Sequence, residues 1–322
     1  MEEVTDLLLA IYRAARECAP AEFQELCLRL IKPLLHFQSA MWGTGRLSEP
    51  GIEVHTAHLH EIAREHILQW QSLNPGDKVI PAVCASPGRA LTFHAPTLFA
   101  SRGERPMLEF TSRAGWQSAM VTAFVNAGQK AIQWLSLYRP DAHRQFVDAD
   151  QNLAQHLVPH LVEALTINRA IHLRRFYSDG GDASGYLALC DHRGLLHFAE
   201  PGFVELVARE YPQWDSAAIP RPLLDRIARR GSTSFTGRYL RLRVHDQVDL
   251  LFLRARKILP LDLLSPRELE VARLFGRGKS HKEIAKELGL APATIRHHLS
   301  SVYATVGAHD KAELSRIVQE AE

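Results

Sequence analysis

Between Thr294 and Ser301 the chain carries Thr294, Arg296, His297, Ser300 and Ser301, side chains suited to recognition rather than turnover. A guanidinium fits guanine O6/N7 or a phosphate, and hydroxyls and an imidazole suit base edges or backbone oxygens. These residues remain when an apolar stripe of Ile295, Leu299, Val302 and Val306 is subtracted from a helix opened by Pro292 and closed by Gly307. His298 falls one turn from Ile295 and Val302 and is placed on the inner flank with a structural role. The same pattern suits a small helical bundle that only packs or dimerises. Periodicity alone leaves both readings open.

The elements that must hold this face in place are written into Leu264 to Leu314. Ser265-Pro266-Arg267-Glu268 combines a Ser cap, a Pro at the first helical position and a Glu three residues after the cap, a capping box. Val271, Leu274 and Phe275 follow on one stripe, ended by Gly276 and Gly278. Ser280 with Glu283 is a second capping box, opening a helix with Ile284, Ala285 and Leu288 inward and Gly289 as its stop. Gly289-Leu290-Ala291 then joins it to the recognition segment, as in a helix-turn-helix. Leu314, Ile317 and Val318 mark a fourth helix.

Read in register, this segment resembles the LuxR/GerE-type DNA-binding domain of bacterial transcription regulators. The resemblance runs through Leu264-Ser265-x-Arg267-Glu268-x-Glu270-Val271, Gly278, and Lys282-Glu283-Ile284-Ala285-x-x-Leu288. It continues through Thr294-Ile295-Arg296-x-His298, Val302-Tyr303, Gly307 and Lys311-Ala312-Glu313-Leu314. It implies that the third helix enters the major groove with Arg296 as a principal contact. His297 and Ser300 would be its neighbours, and Lys282 a phosphate contact. It also implies double-stranded DNA as partner, and contact with RNA polymerase. Ala291 stands where a capping Ser is usual and Thr305 where a Lys is usual. The loss of that Lys bears on electrostatic affinity, not on the fold.

Elsewhere, His55, His58 and His60 on a strand-like run and His156 and His160 four apart on a helix invite a metal reading. His156-Leu157-Val158-Pro159-His160 is not HEXXH, and solvated or core histidines are the expectation, with no metal and no cofactor. Trp42, Trp70, Trp116, Trp134, Phe93 and Phe110 are the candidates for lining a ligand pocket, although such a set also suits plain core. No nucleophile elbow, P-loop or dinucleotide fingerprint is present, so the chain is not expected to be an enzyme.

The chain ahead of the C-terminal module reads as two sensory domains. Helices at 4–17 and 21–35, strands at 39–45 and 52–59, a helix at 60–73, an irregular stretch at 78–116 with a short helix at 102–110, a hairpin at 119–138 and a long helix at 149–176 suggest an antiparallel sheet carrying helices. Residues 1–176 resemble GAF-like and PAS-like sensors in layout. Their order is also similar to the autoinducer-binding domains attached to many LuxR-type regulators. That comparison puts Asp77 at a pocket position, but Lys78 replaces the expected Pro, and the run from Ser86 to Phe93 lacks the expected Trp. Acyl-homoserine lactone is therefore not the leading ligand.

A linker by composition, residues 177–185, precedes a second domain at 186–257. Strands at 186–190 and 195–198, helices at 203–210 and 222–229, and a hairpin at 238–256 through His245-Asp246-Gln247 resemble a compact PAS-like domain. Residues 258–322 complete the chain as the helix-turn-helix domain, closely docked through the short junction 258–263. No phosphoacceptor pattern of a receiver domain can be aligned.

Composition sets the outer bounds. At 322 residues the chain suits two or three cores, and 46% hydrophobic with 23% charged residues is ordinary globular material. Four cysteines without metal-ligand spacing, no long apolar run and no signal pattern at the start suggest a cytoplasmic protein without a membrane partner. A net charge of +2 is too small to argue for nucleic acid. Nine Lys/Arg against six Asp/Glu from Leu264 to Val318 leave that module mildly basic, which favours doubling it in a homodimer on two half-sites.

The expectation is thus a multidomain α+β plus all-α chain, with GAF/PAS-like antiparallel-sheet sensors followed by a four-helix DNA-binding domain. Binding would be controlled by a small-molecule effector or a partner at the N-terminal domains. One alternative is an enzyme or metal-binding protein whose C-terminal helices only mediate assembly. Another is constitutive DNA binding governed by a protein partner.

Overall fold

The computed structural model describes residues 2–48, 51–73, 77–126, 131–178, 185–214, 218–227, 233–247 and 250–321. Helices α1 (Glu2–Glu17) and α2 (Pro20–Leu35) come first. Phe23, Cys27, Leu28, Ile31 and Leu35 give α2 a helical apolar stripe that is buried along its length. Five strands, β1 (Ser39–Ser48), β2 (Gly51–His60), β3 (Ala90–His94), β4 (Ser118–Asn126) and β5 (Ala131–Arg139), make an antiparallel sheet in the order β2-β1-β5-β4-β3.

Alternation along each strand feeds two cores, one on each face. Ala40, Trp42, Leu135 and Leu137 pack with α1, α2 and the long helix α7 (Asp148–Ser178). Met41, Val121, Ile132 and Trp134 face α3 (Arg64–Leu73), α4 (Val79–Ala85), α5 (Ala95–Leu98) and α6 (Arg105–Ala114).

A second antiparallel sheet contains β6 (Tyr186–Asp191), β7 (Leu196–Ala199), β8 (Ser234–Thr236), β9 (Leu240–Gln247) and β10 (Leu250–Lys257), ordered β7-β6-β10-β9-β8. Helices α8 (Pro201–Glu210) and α9 (Arg221–Ile227) bury Phe203, Leu206, Leu223 and Leu224 against one face. The end of α7 covers the other, where Leu173 and Tyr177 meet Leu187, Leu189 and Phe252. One continuous helix therefore belongs to both sheets.

Four helices close the described chain: α10 (Pro266–Gly276), α11 (His281–Leu288), α12 (Pro292–Val306) and α13 (Lys311–Ala321). Val271, Phe275, Ile284, Ile295, Leu299, Val302, Leu314 and Val318 form their shared core.

Several sequence expectations need correction. The stretch 78–116 is mostly regular, holding α4, β3, α5 and α6. Pro81 inside the α4 segment and the brevity of β3 hide them from periodicity. The helix expected from His60 starts at Arg64; His60 is the last residue of β2, and Glu61 turns the chain with φ 55°. The linker expected from Tyr177 begins later, because Tyr177 is buried on α7 and its hydroxyl donates to the Phe252 carbonyl at 3.0 Å. Residues 179–184 lie outside the described residues. Strand β9 runs through His245-Asp246-Gln247, so the hairpin connection is not there. Turn residues 49–50, 74–76 and 127–130 also lie outside the described residues.

Candidate nucleic-acid interface and ligand cavity

Both capping boxes of the C-terminal module are present. Ser265 and Glu268 exchange hydrogen bonds around the start of α10, and Ser280 and Glu283 do the same for α11. Gly289 ends α11 in the left-handed region at φ 65°, which lets the chain reverse into α12 within three residues. Arg267 ties the turn down by donating to the Leu288 carbonyl at 2.9 Å while pairing with Glu270. Ala291 caps α12 without a side-chain bond.

With Ile295, Leu299, Val302 and Val306 buried, α12 presents Arg296, His297 and Ser300 to solvent, with Thr294 half-buried. Lys282 is exposed at the start of α11. Among the described residues, Arg296, Lys282 and Ser300 have no intramolecular hydrogen-bond partner, so their donors are available to an external acceptor. Ser301 departs from this group. It is half-buried and donates to Glu268 of α10, because its position points back across the packed helices. Hydrogen bonds from Ser265 and Ser301 hold the Glu268 carboxyl down to about 2.

Ahead of α10, a turn at Pro260–Leu263 fastens the module to the second sheet. Asp262 accepts from Arg241 of β9 and Arg256 of β10, and from the Leu259 N–H at 2.9 Å. Burial alone would raise its pKa, but these donors, Arg256 first, bring it down to about 2. Leu261 enters the helical core beside it.

The N-terminal aromatics divide between the two faces of the first sheet. Trp70, Asp77, Phe93, Phe110, Trp116 and Trp134 line one cavity of about 80 Å³ beneath α3, α4, α5 and α6. Trp42 does not. Strand alternation turns it to the opposite face, where it is fully buried against α2 and α7, and its neighbour Met41 lines the cavity instead.

Inside the cavity, Trp70 Nε1 donates to Asp77 at 2.7 Å, and the Val79 N–H donates to the other carboxylate oxygen at 2.6 Å. Burial raises the Asp77 pKa against these donors. Trp116 stacks on Tyr138 with centroids 4.4 Å apart, and its buried Nε1 has no partner. An apolar chamber with one orphan donor suits an apolar molecule bearing an acceptor. Tyr138 and the Val79, Ile80, Val83 stripe also line it. The i, i+1, i+4 spacing of that stripe was a usable signal, obscured by Pro81.

The histidines raised as metal ligands have other partners. His58 and His60 contact Glu25 of α2, and Lys32 Nζ lies 2.9 Å from His60 Nε2, putting a cation where a metal would compete. His55 pairs with Asp191 of the second sheet, His156 with the Asn152 carbonyl and His160 with the Tyr12 hydroxyl. A register shift in the β1–β2 pairing at Thr44/Gly45 accompanies this divergence of His55 from His58 and His60. Among the described residues, no group of three or more His, Cys, Asp or Glu is placed to hold a metal ion. No described helix is long and apolar enough to cross a membrane.

Two capped helices crossing at a glycine turn, with a cationic and hydroxyl-bearing outer face on the second, define a helix-turn-helix of the DNA-binding class. Residues 262–318 match the family model GerE, bacterial regulatory proteins of the luxR family, and this segment belongs to that family.

A Mycobacterium tuberculosis (strain ATCC 25618 / H37Rv) protein named as an HTH-type transcriptional regulator is 43% identical over 51 residues, 16% of this chain and 6% of its own length. The transcriptional regulatory protein UhpA of Escherichia coli is 40% identical over 55 residues, 17% of this chain and 28% of UhpA. The chain thus spans well under two thirds of the length of these relatives. Among solved structures, Escherichia coli SdiA aligns over 98% of this chain and 97% of its own, at 13% identity and a TM-score of 0.41. The N-acylhomoserine lactone dependent LuxR family factor CepR2 of Burkholderia cenocepacia aligns over 51% of this chain and 93% of its own, at 16% identity and a TM-score of 0.40.

Proposed function

We propose that the chain is a transcription regulator that binds double-stranded DNA through α12, under the control of a small apolar effector held in the cavity of the first sheet. The observation that carries this is the LuxR-family helix-turn-helix with Arg296, His297 and Ser300 outward and Lys282 beside them. In this reading Arg296 contacts a base edge, His297, Ser300 and Thr294 flank it, and Lys282 holds a phosphate. Ser301 serves the packing of α10 on α12 instead. A homodimer would set two such helices on neighbouring half-sites and double a weak electrostatic footprint. RNA polymerase is the protein partner this class suggests, and the cytoplasm its setting.

Residues 1–176, 186–257 and 258–322 are the working domains of this proposal. The strand order common to both sheets supports a GAF/PAS-like reading of the first two. Effector binding would reach the DNA through α7, which packs on both sheets, and through the Asp262 clamp.

The test is selection of a binding site from random duplexes, followed by binding of Arg296→Ala. A loss of about 1–3 kcal/mol on that site with an unchanged melting curve is expected. Lys282→Ala should lower the salt slope by about 1 without altering sequence preference. Normal binding by Arg296→Ala would remove α12 from the groove.

A further inference from the structure

A second cleft, of about 250 Å³, opens where the two sheets meet. Thr44 and Gln133 of the first sheet, Thr166 and Arg169 of α7, and Leu196 and His197 of β7 line it. That space equals about eight waters at liquid packing. It is far more polar in its walls than the cavity under α3–α6.

Arg169 is the charge at its end. Among the described residues its hydrogen bond is a single one, from Nη1 to His197 Nδ1 at 3.2 Å. A guanidinium carries five N–H donors, so most of its capacity is unspent. The nearby carboxylate, Asp191, is already engaged. Its Oδ1 accepts the N–H groups of Arg193 and Leu195, and its Oδ2 contacts His55 Nδ1 at 2.8 Å and faces His197 Nε2 at 3.6 Å.

Because His197 Nδ1 accepts from Arg169, its own proton sits on Nε2, toward Asp191. The His197 side chain is only 3% exposed, and Nε2 has no partner at hydrogen-bonding distance. Burial, then the charge of Arg169, pushes His197 down to about 4, so it adds no second cation at neutral pH. Burial takes Arg169 down to about 10, which leaves it charged.

A guanidinium with most of its donors unspent, in a cleft also lined by the side-chain amide of Gln133, suits an oxyanion. We infer that this cleft is a second small-molecule site, taking a compact carboxylate- or phosphate-bearing molecule whose anionic group pairs with Arg169. Its apolar part would lie along Phe124 and Leu196. The occupant touches both sheets and α7 at once, so its binding favours one mutual placement of the two. The site adjoins the apolar cavity at Ile132, which lines both, and requires nothing of the DNA-binding reading.

The full chain is tested at matched ionic strength with about 10 mM sodium phosphate, sodium benzoate or sodium chloride. Phosphorus line broadening, saturation-transfer NMR on benzoate and the melting midpoint are read together. One of the two anions should bind and raise the midpoint above the chloride reference, and its identity assigns the chemistry as phosphate or carboxylate. Arg169→Gln should weaken that binding about tenfold or more, and Gln133→Leu several-fold. Should Arg169→Gln fail the circular-dichroism check for folding, Gln133→Leu carries the comparison. Neither anion distinguishable from chloride, or unchanged binding in folded variants, overturns the inference.

Discussion

Counted from its own first strand, each sheet runs second, first, fifth, fourth, third, yet the two interiors differ. The first sheet is roofed by four short helices and rimmed by aromatic rings, among them Trp70, Phe110, Trp116 and Trp134, and keeps a cavity of about 80 Å³. In the second, α8 and α9 lay Phe203, Leu206, Val207, Leu223 and Leu224 on a floor of Leu240, Leu242, Val244, Leu251 and Leu253. Branched aliphatic side chains interdigitate closely, whereas large rigid rings joined to short helices leave gaps they cannot bend to fill. A shared topology thus supports a hollow layer suited to a ligand and an aliphatic layer suited to carrying load. The Asp262 clamp to the helix-turn-helix module springs from the aliphatic one.

The largest test of that contrast is a pair of truncations. Phe203 and Phe110 are both fully buried, at 0% and 1% exposure, one in each interior. Phe203→Ala should cost about 4 kcal/mol in chemical denaturation, and Phe110→Ala about 1 kcal/mol less, because part of its ring already faces empty space. Equal costs would mean that the first interior is closed in solution.

Next in size is the acid response of the seam between the sheets. His197 titrates near 4 in the folded chain against 6.5 ordinarily, since burial and then Arg169 oppose its charge. Between those values the unfolded chain takes up a proton that the folded one refuses. Stability is therefore full above about pH 6.5 and falls by up to about 3 kcal/mol as the pH drops to 4. Urea denaturation across that range should show the decline, and His197→Gln should reduce it, the remainder coming from His245, which burial and then Arg243 also push down. Glu25 and Asp262, both held down to about 2 by hydrogen bonds that outweigh burial, lose their contributions only as the pH falls below their ordinary values of 4.5 and 3.8.

The smallest expected effect is the most specific. Ala119 lines the cavity from β4, and Ala119→Leu places its added carbons in existing space. Stability should change by no more than about 1 kcal/mol, while xenon uptake, followed by NMR, should be lost. A large destabilisation would show that the roof cannot accept a filled cavity.

The C-terminal module was legible because its signals are local. Caps at Ser265 and Ser280, stops at Gly289 and Gly307 and a helical stripe from Ile295 to Val306 each act within one turn. The outward set followed by subtraction, apart from Ser301, whose partner Glu268 lies 33 residues away. The aromatic set of the first sheet was legible as residues but not as a site. Trp42 and Met41 are adjacent in sequence and divide between two cores, and which of them meets the cavity depends on which helices cover which face.

The sequence by itself determined where most helices and strands form and which face of α12 is polar, because caps, turns and periodicity are paid for locally in hydrogen bonds and burial. Only the tertiary structure decided that the last turns of α7, with Leu173 and Tyr177, pack on the second sheet, that His55 meets Asp191 across 136 residues, and that Arg169 meets His197 in a cleft between sheets. Such pairings follow from how whole layers pack, and no local spacing encodes that.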